Sequence, residues 1–518
     1  MRPDRRKFIQ QTICAALGGA SVYSALGQMQ LLQAATRATT FTDYKALVCV
    51  FLYGGNDSFN TIVPYTQSAY NAYYVNGNSV RPKLAIPRAN LLALNNTVTS
   101  GDGIQYALHP SLVGLQTLFN NSHAAIVANV GTLVQPTKQD DVWNAVNSAS
   151  GFALPPQLFS HADQAAYWQS SPPTNQPLTG WGGRIADLVA SGNAGTAPIL
   201  TGLAGSDAFM RGLNVNGYIM RTDGATVLEF PYDQCTTSCS PTLPNTFAAL
   251  HANGTQVNAF ERAYAATMTH SADTAGIMNT ALHLNDFSSF FPGAGFGQLD
   301  QQLQAVAQLI ATGYQNQNNS GGYGGLKRQV FFVNTGGYDT HSNELAVHGG
   351  TGANPPGILD LLSRSLAGFY NALDSVDIGG GKKLSSVATA FTASDFGRSL
   401  TNNDNGTDHG WGGHHFVVGG AVQGGQFYGN GCGFASNLAS PNFGLVMPSL
   451  VNPTTPYGVK SQNLNDPGDG YGRLIPTTSV DQYGATLARW FGLSESDIDL
   501  VFPNLAAHFS IRDLGFMT

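Results

Sequence analysis

Apolar residues recur along the chain in short runs with few polar interruptions. Runs of this kind are typical of parallel strands that are buried on both faces of a sheet. The five runs are Ala46–Tyr53, Ala124–Val130, Gln329–Asn334, Val387–Ser394 and Phe416–Val422. Apolar residues at helical spacing lie between or after them, in Leu299–Tyr314, Ile358–Leu373 and Val480–Phe491. The alternation of strands with helices predicts an α/β fold whose sheet is covered by helices on both faces.

The domain organisation follows from the lack of any linker-like segment after residue 35. One region differs in composition, since residues 202–290 are rich in Gly, Asn and Thr and only weakly periodic. We therefore predict one α/β domain over residues 36–518, with an insertion or cap around residues 202–290.

The first residues have the order of a secretory signal. The pair Arg5-Arg6 is followed by an uncharged apolar stretch over residues 12–27 and by small residues near position 35. A paired arginine in this setting indicates the twin-arginine type. The alternative is a membrane anchor, but the stretch is short and rich in Gly, Ala and Ser, whereas a spanning helix needs about 20 apolar residues. We predict a cleaved signal over residues 1–35, recognition by the Tat translocon, and a periplasmic or extracellular protein without a membrane span.

Composition and charge narrow the partners. The chain has 24 basic and 31 acidic residues, a net charge of −7. The predicted signal holds four basic residues and one acidic residue, so its removal would take the net charge from −7 to −10. An acidic chain is a poor candidate for binding nucleic acid or an anionic membrane. Cys235 and Cys239 flank a polar tripeptide, which suits a local disulfide in an oxidising compartment.

Acidic and imidazole residues lie close to the ends of most of the predicted strands. The seven candidates are Asp57, Asp339, His341, Asp395, His409, His414 and His415. Because ligand sites of open α/β sheets lie beyond the carboxyl ends of the strands, we expect these side chains to converge. A mixed Asp and His set predicts a divalent metal site, with zinc the expected ion and calcium, magnesium or manganese the alternatives. Taken singly, Asp57 or Asp395 could equally be a helix cap or turn residue.

The sequence offers one candidate nucleophile. It contains no GxSxG, HExxH or Walker A pattern, which argues against an α/β-hydrolase esterase, a zincin and a P-loop enzyme. Ser160 lies in a polar loop next to His161. The alternative role of Ser160 is a helix N-cap, with Asp163 at the capping-box position.

Several motifs together resemble a known family. In chain order they are Gly54–Asn60 with Pro64, Leu108–Pro110, Ser160–His161, Gly180–Arg184, Gly337–His341, Ser394–Arg398, Asp408–His415, Ser479–Trp490 and Phe502–Pro503. With the twin-arginine signal, this set resembles the bacterial domain-of-unknown-function family 1501 over almost the whole predicted mature chain.

The resemblance implies a fold and an activity. The family is grouped with alkaline phosphatases and sulfatases, so it implies a three-layer α/β/α sandwich, a metal site at the strand ends and hydrolysis of a phosphate or sulfate ester of a small molecule or polysaccharide. One implied metal site has Asp57, Ser160 and Asp395. The other has Asp339, His341 and either His414 or His415. Arg184 or Arg398 would bind the anionic oxygens of the substrate, although each could instead pair with a buried carboxylate.

One residue departs from the superfamily pattern. Phe396 follows Asp395 where the superfamily has a histidine, and phenylalanine cannot ligate a metal. His409 would then supply the missing imidazole, or one metal would bind, or the site would have lost its chemistry. The last case favours a second function, an exported binding or envelope-assembly protein on the same fold.

Overall fold

A computed structural model describes most of the chain after residue 29. It describes residues 30–37, 39–73, 81–95, 104–147, 151–173, 178–225, 246, 249–252, 256–293, 298–349, 357–429 and 472–518. The predicted twin-arginine pair and the predicted disulfide between Cys235 and Cys239 lie outside these residues.

The strands in the described part of the chain fall into one large sheet and three small ones. In chain order they are β1 (Lys45–Leu52), β2 (Ile62–Pro64), β3 (Leu92–Ala93), β4 (Tyr106–Leu108), β5 (Ala124–Gly131), β6 (Leu200–Gly202), β7 (Tyr218–Ile219), β8 (Arg328–Thr335), β9 (Asp377–Gly379), β10 (Lys382–Lys383), β11 (Ala388–Ser394), β12 (Arg398–Asn402), β13 (Thr407–His409), β14 (Gly413–Gly419), β15 (Phe427–Tyr428) and β16 (Thr478–Ser479).

The helices range from single turns to one of 24 residues. In chain order they are α1 (Ser58–Thr61), α2 (Gln67–Tyr73), α3 (Val113–Asn120), α4 (Gln139–Asn147), α5 (His161–Ser170), α6 (Trp181–Val189), α7 (Ala259–Leu282), α8 (Gln298–Asn316), α9 (Glu344–His348), α10 (Ile358–Asp374), α11 (Val480–Phe491), α12 (Glu495–Val501) and α13 (Pro503–His508). None of these described helices combines the length and apolar composition that crossing a membrane requires.

The large sheet is mostly parallel. Its strand order is β15-β5-β14-β11-β1-β8-β6-β7, with β16 also paired to β5. Strand β1 lies between β11 and β8 and is parallel to both. The predicted mixed α/β fold with a mostly parallel central sheet is confirmed, and the five predicted apolar runs all contribute strands to it.

Strand β14 differs from the prediction in start and direction. It begins at Gly413 and runs antiparallel to β11 and β5, with Phe391 opposite Val417. Its first residues therefore lie level with the carboxyl end of β11. This orientation places the residues just before β14, including His409, at the edge where the parallel strands end.

The side chains of the central strand alternate between two apolar cores. In β1, Val48 and Val50 enter one core with helices α3, α7, α8 and α10. Cys49 and Phe51 enter the other with α5, α6 and α11 to α13. Because a strand turns successive side chains to opposite faces, a sheet covered on both sides needs apolar residues at every position. This requirement explains the uninterrupted run that the sequence shows.

The described parts of residues 202–290 include a strand and a long helix. Strand β7 pairs with β6 and extends the central sheet, so this part continues the main domain. Helix α7 begins with a capping box in which Asn258 and Glu261 bond each other's backbone N–H groups. Its last turns bury Met278 and Leu282 in the first core.

Candidate metal centre

Three chain segments meet at the carboxyl edge of the parallel strands. Asp339 follows β8, Asp395 follows β11, and Gly54 lies in the turn after β1. Gly54 has a φ of 116°, and a side-chain carbon there would lie 2.3 Å from the backbone nitrogen of Asp339. Only glycine permits that approach, so the Gly-Gly turn brings the Asp339 loop against the end of β1.

Four side chains converge at this edge. The Nε2 atom of His409 lies 3.0 Å from Nε2 of His161 and 2.9 Å from Nε2 of His341. The Oδ1 atom of Asp339 lies 3.1 Å from Nε2 of His341, 3.3 Å from that of His409 and 3.5 Å from that of His161. Within the described part of the chain, His161, Asp339 and His409 offer ligand atoms that all lie within 4.8 Å of one another. We call these four residues the histidine cluster.

The other ring nitrogen of each histidine has its own partner. Nδ1 of His409 lies 2.7 Å from the carbonyl oxygen of Phe159, which can only accept a hydrogen bond. Nδ1 of His161 lies 2.7 Å from Oδ2 of Asp395. Nδ1 of His341 lies 3.2 Å from Oδ1 of Asp408. These partners assign the proton to Nδ1 in all three rings and leave each Nε2 with a lone pair.

The converging lone pairs and the carboxylate of Asp339 favour a positive charge at this position. A proton shared between His161 and His409 would satisfy one nitrogen pair only, because the single lone pair of His409 also faces His341. A tetrahedral zinc ion with bonds of about 2.0–2.1 Å separates its ligand atoms by about 3.3 Å. The separations of 3.0 to 3.5 Å among the ligand atoms of His161, Asp339 and His409 bracket that value. The donor set and its spacing therefore fit one divalent ion.

Local charges affect three members of the cluster differently. The hydrogen bond to Asp395 raises the pKa of His161 above its ordinary value and outweighs the effect of burial. Burial lowers the pKa of His409 and favours its neutral form, the form that can ligate a metal. Partial burial opposes ionisation of Asp339, but the hydrogen bond and charge of Arg398, together with the charges of His341 and His161, outweigh burial and lower the pKa of that carboxyl group.

Phe396 supports the cluster without ligating. Its ring centroid lies 4.7 Å from that of His161 and 4.7 Å from that of His409. The ring therefore packs against two of the three imidazoles and limits their movement. His409 thus provides an imidazole directly beside Phe396.

Asp57 lies outside the cluster. It is fully buried, and both of its carboxylate oxygens bond to the guanidinium of Arg81, one of them at 2.9 Å. It also caps α1 by accepting a hydrogen bond from the backbone N–H of Phe59. The structure thus separates Asp57 from the metal-ligand role that the sequence suggested, because Arg81 neutralises its charge.

His414 and His415 lie inside β14 rather than before it. Nδ1 of His414 accepts a hydrogen bond from the backbone N–H of Asn129, and the ring of His415 packs against Trp168. Burial lowers the pKa of His414 to about 4 and that of His415 to about 3. Both are neutral core residues at physiological pH, and neither belongs to the cluster.

Asp395 and Ser160 support the cluster in ways that differ from their expected roles. Asp395 accepts hydrogen bonds from His161 and from the backbone N–H of Gly54, so it orients a ligand rather than serving as one. The hydroxyl of Ser160 donates to Oδ2 of Asp163 at 2.5 Å and does not cap α5. Ser160 still precedes His161, so the start of α5 sets the position of that imidazole.

Neither predicted anion-binding arginine has a free guanidinium. Arg398 is fully buried and donates to Thr407 and to Oδ1 of Asp339, the latter at 2.8 Å. Arg184 donates to the backbone carbonyls of Val501 and Thr179 and to those at the end of α5. Burial lowers the pKa of Arg184 to about 10.

We expect Arg184→Met to reduce the free energy of unfolding by about 3 kcal/mol, because it leaves several buried carbonyls without donors. Metal binding should not change. Denaturant unfolding of this variant, with the exposed Arg221→Met as control, measures the effect. A loss of substrate-anion binding at unaltered stability would instead restore the anion-binding role.

Sequence reasoning missed His161 as a candidate ligand and Arg81 as the partner of Asp57. The sequence drew attention to His161 only as the neighbour of Ser160. The signal that could have identified it is a histidine at the start of a predicted helix. Nothing near Arg81 in the sequence marks it as a partner of Asp57.

The fold and the cluster define an α/β protein with a candidate metal centre at the carboxyl edge of its sheet. Residues 325–443 match the family described as "Protein of unknown function (DUF1501)", so this part of the chain carries the predicted family resemblance. The matched segment includes Asp339, His341 and His409, whereas His161 lies before it. Neither the curated proteins nor the solved structures include a match.

Proposed function

We propose that the chain is an exported, metal-dependent hydrolase of phosphate or sulfate esters. One divalent ion would be held by His161, Asp339 and His409, with His341 as the fourth ligand. Zinc suits this set of three imidazoles and one carboxylate, whereas calcium, magnesium and manganese favour oxygen ligands. A bound ion supplies Lewis-acid charge that stabilises the oxygens of a phosphoryl or sulfuryl group.

The observation that carries the proposal is the open side of the cluster. The side chains of Asp339 and His341 are 47% and 45% exposed, whereas those of His161 and His409 are 33% and 21% exposed. A purely structural metal site is closed by four protein ligands, and a catalytic site keeps one position accessible. The partial exposure of His341 makes its position the one that a substrate would take.

The residues around the cluster would position these groups. Asp395, Asp408 and the carbonyl of Phe159 fix the imidazole rings, and Arg398 fixes the carboxylate of Asp339. Because the hydroxyl of Ser160 is engaged by Asp163, we assign the attack to water. Water attacks phosphorus or sulfur, the bond to the ester oxygen breaks, and the alcohol leaves.

The alkaline phosphatase-like fold and the export route are part of the same proposal. Support for the fold comes from the mostly parallel sheet with helices on both faces and from the position of the cluster at its carboxyl edge. Support for Tat export comes from the order of residues 1–35, and the pathway suits a protein that folds around a metal before it crosses the membrane.

The presence of a fourth possible ligand, His341, favours a second function. If His341 remains bound, the four ligands close the coordination shell, as in a structural site. The chain would then be an exported binding or envelope-assembly protein that a metal stabilises.

Elemental analysis of the purified full chain, combined with aryl phosphate and aryl sulfate substrates, tests the proposal. We expect one equivalent of zinc and hydrolysis of one ester class, lost on chelation and restored by zinc. Bound zinc with every ester untouched would favour the binding protein. A chain that binds no metal under any loading condition and leaves every ester untouched would contradict the hydrolase and leave a metal-free binding protein.

A further inference from the structure

Three fully buried ionisable side chains contact the segments that carry the histidine cluster. Arg81 pairs with Asp57, and its Nη1 atom lies 4.0 Å from Oε1 of Glu344. Asp57 and Arg81 have no exposed surface, and the Glu344 side chain has none either. We call Asp57, Arg81 and Glu344 the buried triad.

One route of hydrogen bonds connects the buried triad to the cluster. Thr407 Oγ1 donates to Oε2 of Glu344 at 2.6 Å. The same oxygen accepts a hydrogen bond from Nε of Arg398 at 3.1 Å, and Nη1 of Arg398 donates to Oδ1 of Asp339 at 2.8 Å. The hydroxyl of Thr407 therefore links the triad to Arg398, which in turn bonds the proposed ligand Asp339.

A second set of contacts fixes the hairpin that carries His409. Arg81 donates to the carbonyls of Leu400 and Ser399 in β12 at 2.8 and 2.7 Å. Strand β12 pairs with β13, which ends at His409, with Arg398 opposite His409. The triad thus contacts both strands of the hairpin, on which Arg398 and His409 lie side by side.

We propose that the residues of the buried triad, acting through Thr407, position the ligands of the metal centre. This inference rests on the proposed metal site. A metal ion binds most tightly when its ligands are already in position. Groups that orient the ligands typically raise metal affinity roughly 10- to 100-fold. Buried, hydrogen-bonded polar and charged groups are stiff supports for such placement, because moving any one of them leaves a buried partner without its hydrogen bond.

Thr407→Val tests the link through the Thr407 hydroxyl directly. Valine keeps the shape of threonine but removes the hydroxyl, so Arg398 loses one of its fixed acceptors and Asp339 gains freedom. We expect the metal dissociation constant of the full chain to rise about 10-fold, with a shifted visible spectrum of the cobalt-loaded protein. Thr407→Ser retains the hydroxyl and should bind zinc and cobalt within about twofold of the wild type.

Two further variants separate positioning from general stability. Asp187 is a buried carboxylate that accepts hydrogen bonds from the backbone N–H groups of Leu213, Asn214 and Val215. Asp187→Asn should lower stability without changing metal affinity. Arg398→Lys keeps the positive charge but cannot reach Asp339 and Thr407 together, so it should weaken binding as Thr407→Val does, which also covers the case that the valine variant fails to fold.

The outcomes are distinct. The proposal is overturned if Thr407→Val binds zinc as tightly as the wild type, if Thr407→Ser is equally weakened, or if Asp187→Asn loses affinity to the same extent. A wild-type chain that binds no metal would overturn the proposed function as well, and is recognised before any variant is made.

Discussion

His409→Ala is expected to lower the affinity for zinc by roughly 10²- to 10³-fold, the largest effect on zinc affinity that we expect from a single replacement. Structural zinc sites contribute about 10–16 kcal/mol, so one ligand of four corresponds to about 3 kcal/mol. His409 is also the central member of the cluster, since its Nε2 atom lies within 3.3 Å of the ligand atoms of His161, Asp339 and His341. Its loss therefore removes one ligand and the contact that aligns the others.

Competition for zinc with a chromophoric chelator measures this affinity. His123→Ala is a suitable control, because His123 is also partly buried and stacks on Tyr370 away from the cluster. The control should bind like the wild type. Unchanged zinc affinity in His409→Ala would show that the metal binds elsewhere in the chain.

Arg81→Met is expected to reduce the free energy of unfolding by about 3–5 kcal/mol, because it leaves the buried charge of Asp57 without a partner. Burial alone would raise the pKa of Asp57, but the charge and hydrogen bonds of Arg81, with smaller contributions from Glu344 and His348, together outweigh burial and lower that pKa in the wild type. The stabilising contribution of Asp57 is thus present above its unfolded pKa and is lost as pH falls through the lower folded value.

The pH dependence gives this prediction a signature. Without Arg81, burial raises the folded pKa of Asp57, so the stability of the variant falls as pH rises above about 4. The deficit relative to the wild type should therefore grow between pH 4 and pH 7 in denaturant unfolding. Arg221→Met, which breaks an exposed pair with Asp223, should leave stability close to that of the wild type at any pH. Equal deficits at pH 4 and pH 7 would contradict the role assigned to the Asp57 pair.

The fold was largely predictable because burial on both faces leaves a strong pattern. The run at Ala46–Tyr53 and the helix at Val480–Phe491 agree with β1 and α11 within a residue or two. The direction of β14 was not predictable, because its apolar residues satisfy a parallel and an antiparallel neighbour equally well. That direction decides which end of the strand faces the cluster.

The candidate site was predictable in part. Asp339, His341 and His409 lie together in the structure, as convergence at the strand ends suggests. Asp57 does not join them, because its capture by Arg81 depends on a contact between segments 24 residues apart that no local pattern records. His161 was missed because it comes from a helix start, whereas the search followed strand ends.

The most direct test of the metal centre is an anomalous-diffraction map of crystals grown with zinc. The account predicts one strong peak at about 2.0–2.1 Å from Nε2 of His161 and His409 and from Oδ1 of Asp339, with His341 or a solvent molecule completing the shell. A peak bound by Asp57 or His414, or no peak in crystals of zinc-loaded protein, would contradict it.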